Sequence, residues 1–236
     1  MNILYDFHIH SCLSPCGDMD MTPQNIVTMS KLMGYNAIAL TDHNTCRNCG
    51  AVMKLGESTG ITVIPGMELC TSEEVHVICL FPTLEKAMAF SDYVHSTLPP
   101  IKNKPSVFGE QAICDEQDNI IDYEETLLIT ASSISAAKAV EVVGKYGGIC
   151  YPAHIDRSSF SILSNLGTID ESFGFSCAEI YDMSLESELK KKFPYLNKLK
   201  IISDSDAHYL ENMRLPENYI EVTENTVDAI LDYFKI

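Results

Sequence analysis

The sequence predicts an α/β fold: a barrel-like set of parallel strands with helices packed around it and one inserted segment. Three observations carry this. Short apolar runs bounded by turn residues alternate with helical patterns, the signature of strands joined through helical crossovers. Six of the seven histidines end, or lie on, a predicted strand, as expected where strand ends converge on one face of a barrel. The 236 residues, 46% of them hydrophobic, suffice for one good-sized core.

The elements follow in order. "NILYDFHIH" is the first strand. "TPQNIVTMSKLMG" is a helix, with Thr22 as N-cap, Pro23 in the first turn and Gly34 just past the end. "YNAIALTDH" is a strand, "CGAVMKLGESTG" a helix, "ITVIPGMEL" a third strand and "EVHVICLF" a fourth. From about Pro82 the rhythm changes to a helix, "TLEKAMAFSDYVHSTL", a breaker, "PPIKNKP", and a hairpin around the polar "DEQDN". Residues 83–135 therefore read as an insertion, helix plus hairpin, within a single domain over 1–236. The alternation returns with the helix "SISAAKAVEVVGKYGG" and the strands "ICYPAH", "FSCAEIYD" and "KIISDSDAH", seven strands in all. Neither G-x-x-x-x-G-K nor G-x-G-x-x-G occurs, so a phosphate loop or dinucleotide fold has no support.

The formal net charge is −17, with only 16 lysines and arginines, which argues against a protein that grips a long nucleic acid through its phosphates. No apolar run is long enough for a membrane-spanning helix. The N-terminal stretch lacks a basic region, apolar segment and cleavage site, so the expected location is the cytoplasm. The nine cysteines then read mostly as free thiols, with Cys79, Cys150 and Cys177 as small core residues. Cys12, Cys16, Cys46 and Cys49 lie in the loops after the first two strands. Three readings stay open for them: a thiolate zinc or iron–sulfur site, redox-sensitive thiols, or ordinary loop cysteines.

The histidines carry the chemistry. His8 and His10 are two apart on one strand and so point to the same side. His43, His154 and His208 end strands, and His76 lies on one. Glu68 follows the third strand, Asp206 stands beside His208, and Asp18 follows the H-x-H pair. A single strand histidine is usually a satisfied core or surface residue. Nine such donors together are too many for one ion and fit two or three. Imidazoles and carboxylates suit divalent zinc, manganese or iron.

In their order, "HIH", "TDHN", "GMEL", "EVHVI", "PAH" and "SDAH" resemble the motifs of the polymerase and histidinol phosphatase (PHP) family. The resemblance covers the first 82 residues and about 136–210. It is strongest to the stand-alone phosphoesterases whose first motif is followed by an aspartate. It implies a distorted (β/α)7 TIM-like barrel, a trinuclear metal centre and hydrolysis of phosphate esters. Residue by residue, it places His8, His10, Glu68 and Asp206 around one ion. Glu68, His76 and His154 surround a second, and Asp18, His43 and His208 a third. Asp6 and Asp42 read as carboxylates that orient the metal-binding imidazoles.

Arg157, three residues past His154, is the candidate for binding substrate phosphate, with a salt bridge to Asp156 or another acid as the alternative. Arg47 is a weaker candidate of the same kind. "KKKF" at 190–193 reads as a solvated helix face. The expected chemistry is attack by a metal-bridging hydroxide on a small phosphorylated substrate, a nucleotide among the candidates. His43, Asp206 and His208 are the candidate catalytic residues, with the general acid unassigned. The competing readings are a 5′–3′ exonuclease on short oligonucleotides and a non-catalytic metal-binding module. An amidohydrolase is a further reading, disfavoured because its bridging lysine has no counterpart beside Glu68.

Overall fold

The computed structural model describes residues 1–235. Its strands are β1 (Asn2–Ile9), β2 (Ala37–Leu40), β3 (Thr62–Cys70), β4 (His76–Leu80), β5 (Ala112–Cys114), β6 (Ile120–Tyr123), β7 (Ile149–Pro152), β8 (Cys177–Glu179), β9 (Lys200–Ile202) and β10 (Tyr219–Glu221). The helices are α1 (Pro23–Met33), α2 (Cys49–Thr59), α3 (Leu84–His95), α4 (Pro105–Phe108), α5 (Ala136–Lys145), α6 (Ile162–Leu166), α7 (Glu186–Lys192) and α8 (Val227–Phe234). The first helix begins and ends as its sequence dictates. Thr22 accepts a hydrogen bond from the Asn25 amide, and Gly34 closes the helix in the left-handed region.

The sheet is curled and mixed rather than wholly parallel. Six strands run in the order β10-β1-β2-β3-β4-β7, and β8 and β9 form a separate parallel pair. Strands β1, β2 and β3 are parallel, but β4 is antiparallel to both β3 and β7, and β10 is antiparallel to β1. The seven-stranded parallel arrangement expected from the alternation is corrected at β4 for a simple reason. Only residues 71–75 join β3 to β4, whereas a parallel crossover needs about a dozen residues or more. The Thr71 amide instead donates to the Val75 carbonyl at 2.9 Å and the chain turns back. His76 thereby opens β4 opposite Cys70, at the same end of the sheet as the C-termini of β1–β3.

β1 and β9 form no ladder. β1 instead meets the segment after β9 at one bridge, Ile9–Ala207. Further down the seam two carboxylates satisfy the amides the ladder would have paired. Asp204 Oδ1 accepts from Phe7 N at 2.6 Å, and Asp6 Oδ1 accepts from Ser205 N at 3.2 Å. The register of β1 on β2 shifts between Asp6 and Ile9, an irregularity in the interval that holds Phe7 and His8.

One apolar core lies between sheet and helices, with Ile26, Val52, Phe81, Phe90 and Val143. A second fills the inside of the curl, where Phe7 and Tyr151 pack on Phe234 of α8. β10 and α8 are absent from the strands and helices expected from the sequence. The segment 83–135 holds α3, α4 and the β5–β6 hairpin, and it is tied to the loops after β1 and β2. Ala112 N donates to Cys12 O at 3.0 Å, Asn48 bonds both Ala112 O and Cys114 N, and the Asn44 amide reaches Leu128 O and Thr130 O. Among the described residues no helix is long and apolar enough to cross a membrane.

Candidate metal centre

Six histidines and two acids meet at the end of the sheet where β1, β2, β3, β7, β8 and β9 finish and β4 begins. Glu68 is their hub. Its Oε1 faces His76 Nδ1 at 2.8 Å, His154 Nε2 at 3.2 Å and His8 Nε2 at 3.3 Å. Its Oε2 faces His43 Nδ1 at 2.9 Å and His10 Nε2 at 3.3 Å. Asp206 Oδ1 lies 3.3 Å from His8 Nε2 and 3.4 Å from His10 Nε2, and the two imidazole nitrogens are 3.1 Å apart. The His10 and His208 rings stack at 4.0 Å. Glu68 reaches the cluster because β3 passes close to its neighbours at Gly66, where a Cβ would come within 2.8 Å of the Cys79 carbonyl. His154 and Asp206 both hold left-handed backbone, φ 28° and 51°, a conformation that costs energy and is found at functional sites.

The tautomers of three rings are set by their other nitrogen. His8 Nδ1 pairs with Glu179 Oε2 at 2.9 Å, and both residues are fully buried. His10 Nδ1 donates to Ser14 Oγ at 2.9 Å, whose hydroxyl donates on to Asp42 Oδ1 at 2.7 Å. His208 Nδ1 donates to the Asp206 carbonyl at 3.0 Å. Each ring is left with its Nε2 lone pair free.

This is a donor set that a cation would satisfy. His43 Nδ1 and Glu68 Oε2 are buried and face each other without forming a hydrogen bond; His76 Nε2 and His154 Nδ1 are buried and unpartnered. The separations of 2.8–3.4 Å match the roughly 3.3 Å edge of a tetrahedron with metal–nitrogen distances of about 2.0–2.1 Å. Three groups, His10–His43–His208, His8–His10–Glu68 and His43–Glu68–His76, bring their donor atoms within 4.8 Å of one another. Burial pushes the Glu68 carboxyl up, but His76, His8 and His43 outweigh it and hold the carboxyl well below its ordinary range. Burial and the neighbouring His208 and His43 push His10 down, favouring the neutral ring that binds metals.

Eight of the nine expected donors thus come together. Asp18 differs: its backbone amide donates to His208 O at 2.9 Å, but its carboxylate accepts from the Asp20 amide at 2.8 Å. Asp42 acts on His10 only through Ser14, and it is fully engaged by Ser11 and Ser14. Asp6 touches no imidazole; it accepts from the amides of His8 and Ser205 and from Tyr35. The carboxylate that orients His8 is Glu179, at the end of β8, which the motif pattern does not reveal. Its signal in the sequence is an acid inside the apolar run "CAEI".

Arg157 pairs with Asp206 Oδ2 at 2.9 Å, and its guanidinium lies 4.2 Å from the centre of the Tyr181 ring, over which Arg214 also sits at 3.9 Å. Asp156 is not its partner and instead caps the amides of Tyr181 and Asp182. Arg47 is tied to Asp122 and Glu124 of the insertion. Lys191 and Lys192 are exposed on α7. A cavity of about 840 Å³ lies beside the β1–β9 seam, lined by Asp6, Tyr181, Asp204 and Arg214 among others; none of the six histidines borders it. The four loop cysteines do not converge. Cys12 meets Cys114 at 3.6 Å, Cys46 and Cys49 point at the Gly66 carbonyl, and Cys16 is half-buried in the loop after β1, with His43 and His208 as its electrostatic neighbours. Burial raises the Cys16 thiol, but the two histidines outweigh it and bring it down to about 6.

A curled α/β sheet with imidazoles and carboxylates buried at one end defines a protein built to hold metal ions. Residues 6–232 match the PHP domain, and the chain belongs to that family of metal-dependent hydrolases. It is similar to the lesion-specific endonuclease PfuEndoQ of Pyrococcus furiosus, with a TM-score of 0.73 at 20% identity over 99% of this chain and 56% of that one. It is also similar to a putative metal-dependent phosphoesterase of Bifidobacterium adolescentis, with a TM-score of 0.66 at 17% identity over 98% of this chain and 96% of that one. An uncharacterized protein of Methanocaldococcus jannaschii is 36% identical over 76 residues, covering 29% of this chain and 44% of the relative. The chain thus spans about half the length of that nuclease, and the match to the archaeal protein covers less than half of that relative.

Proposed function

We propose that this protein is a metal-dependent phosphoesterase that hydrolyses phosphate monoesters of small metabolites or nucleotides at a centre of two to three divalent ions, zinc, manganese or iron. One observation carries the reading: five imidazoles are divided between the two oxygens of Glu68, the pattern of a carboxylate that bridges ions. His8, His10, Asp206 and Glu68 would hold one ion. Glu68, His76 and His154 would hold a second, and His43 and His208 would form the third corner. Divalent ions bound there would acidify a water to supply the nucleophile and would offset the charge of the phosphate.

The chain's own residues do the rest. Glu179, Ser14 and the Asp206 carbonyl fix the rings of His8, His10 and His208. His208 is the most exposed imidazole of the six, at 21%, and borders the substrate side, with His43 and Asp206 behind it. Arg157, 42% exposed and beside Asp206, stands ready to fork onto a phosphate oxygen. The net charge of −17 repels anions at long range, so the charge of the ions has to dominate locally.

The second reading, a nuclease, is favoured by the fold shared with the endonuclease over nearly the whole chain. The test is a screen of the purified protein loaded in turn with zinc, manganese and iron. Inorganic phosphate released from monoesters supports the first reading. Cleavage of oligonucleotides alone supports the second, and inactivity with every metal supports a non-catalytic module.

A further inference from the structure

Cys12 and Cys114 are 102 residues apart in sequence, yet their sulfurs lie 3.6 Å apart. Cys12 is in the loop after β1, two residues past His10, and Cys114 ends β5 in the insertion. The backbone holds the two segments together. Ala112 N donates to Cys12 O at 3.0 Å. Asn48, from the loop after β2, fastens the junction: its Oδ1 accepts from Cys114 N at 3.0 Å, and its Nδ2 donates to Ala112 O at 3.1 Å and to Ser11 Oγ at 3.0 Å. Cys12, Ala112 and Cys114 pack as a small buried cluster of their own, apart from the two main cores.

Two thiols so placed are close to bonding. The sulfurs of a disulfide are about 2.05 Å apart, so closure needs an approach of about 1.5 Å. The hairpin can supply it. All four residues of β6 are exposed while β5 is buried, so the hairpin packs on its β5 side and can shift without opening the main cores. Cys114 leads directly into the hairpin turn 115–119, where Gln117 and Asn119 are exposed, and a peroxide, little larger than water, can approach from there. Other buried thiols sit differently. Cys46 and Cys49 both donate to the Gly66 carbonyl, at 3.1 Å and 3.4 Å, and Cys79 faces Cys150 across β4 and β7 inside the core.

We propose that Cys12 and Cys114 form a reversible redox clip: a peroxide oxidises them to a disulfide that ties the insertion covalently to the loop whose Ser14 holds His10. One sulfur attacks an oxygen of hydrogen peroxide, the O–O bond breaks, and a sulfenic acid forms as one water leaves. The second sulfur then attacks the sulfenic sulfur, and its hydroxyl leaves as a second water with the proton of the attacking thiol. Two thiols and one peroxide thus give one disulfide and two waters; the sulfurs lose two electrons and the peroxide gains them. A dithiol reverses the step by exchange and becomes the oxidised partner. The bond closes a loop of 102 residues in the unfolded chain and so favours the folded one. The clip stands whether or not the neighbouring donors hold metal ions.

The test treats the full chain, undenatured and in zinc-containing buffer, with hydrogen peroxide; zinc itself is redox-inert. The remaining thiols are alkylated in denaturant, and the digested protein is mapped by mass spectrometry. The expected product is a pair of peptides joined through Cys12 and Cys114 that dithiothreitol separates. The oxidised chain should melt roughly 5–15 °C above the reduced chain. Cys12→Ala and Cys114→Ala should each lose both the joined peptides and that shift. The wild-type map decides the matter even where a variant fails to fold. Cys12 and Cys114 recovered as alkylated thiols or as separate sulfinic acids would overturn the clip, as would a disulfide confined to Cys46–Cys49 or Cys79–Cys150. A Cys12–Cys114 bond with no rise in melting temperature would mean that the bond holds nothing, and would overturn it too.

Discussion

The imidazole of His8 is clamped between two acids: Nδ1 meets Glu179 at 2.9 Å, and Nε2 faces Asp206 at 3.3 Å. Glu179 sits behind the ring and fixes its direction, while Asp206 shares its front. Replacing Glu179 by Leu should free the ring and lower metal affinity by roughly 10- to 100-fold, and Glu179→Gln, which keeps the acceptor but not the charge, should cost less. Competition against a chelator of known affinity measures both. Equal affinities in wild type and Glu179→Leu would mean that the clamp is incidental.

Glu68→Ala should be far worse than Arg157→Ala. The first removes the oxygen pair that five imidazoles share, so at least one ion and all measurable turnover should go. The second removes hydrogen bonds from a charged donor, worth roughly 1.5–3 kcal/mol, which is about a 10- to 100-fold rise in KM with a smaller change in kcat. Steady-state kinetics with metal analysis on both variants decides this. An Arg157→Ala enzyme with unchanged KM would make the contacts of Arg157 with Asp206 and Tyr181 purely structural.

Asp204 predicts a pH dependence. Burial, reinforced by the like charges of Glu179 and Asp6, pushes its carboxyl well above the ordinary value. A folded value above the unfolded one means that the folded state holds the proton more tightly. Its contribution to stability is therefore full below the unfolded value of about 3.9 and is lost as pH rises through the folded value. Asp204→Asn keeps an oxygen for the Phe7 amide and removes the charge. In metal-stripped protein its melting temperature should match wild type near pH 4 and exceed it increasingly toward pH 8. A variant that falls further below wild type as pH rises would contradict this.

Much of the site could be read from sequence because each motif ends a strand, and strand ends meet at one face. Direction was less legible. Apolar alternation in "EVHVICLF" shows a strand but not which way it runs; the short link from β3, residues 71–75, too few for a crossover, was the readable sign that β4 turns back. β10 is three residues long, too short to show a period, and lies after a Pro- and Glu-containing stretch. Asp6 was misleading because a carboxylate two residues before His8 in sequence points to the β1–β9 seam, whereas the acid that serves His8 comes from 171 residues away.

Substrate size separates the two functional readings. With 16 lysines and arginines against 33 acids, the surface offers few cations for an extended strand, and strand binding would fall steeply with salt. The value of kcat/KM should not rise as an oligonucleotide is lengthened beyond about five residues, the reach of a pocket of ordinary size. Measurements at two salt concentrations test this. A continuing rise with length, together with strong salt sensitivity, would favour the nuclease.

The most direct test of the metal centre is the metal content of the chain. Protein purified anaerobically and analysed by inductively coupled plasma mass spectrometry under metal-replete conditions should carry two to three transition-metal ions per chain, as about eight clustered donors require. Glu68→Ala should carry at least one fewer. At most one ion in wild type, with no change in Glu68→Ala, would contradict a centre bridged by Glu68.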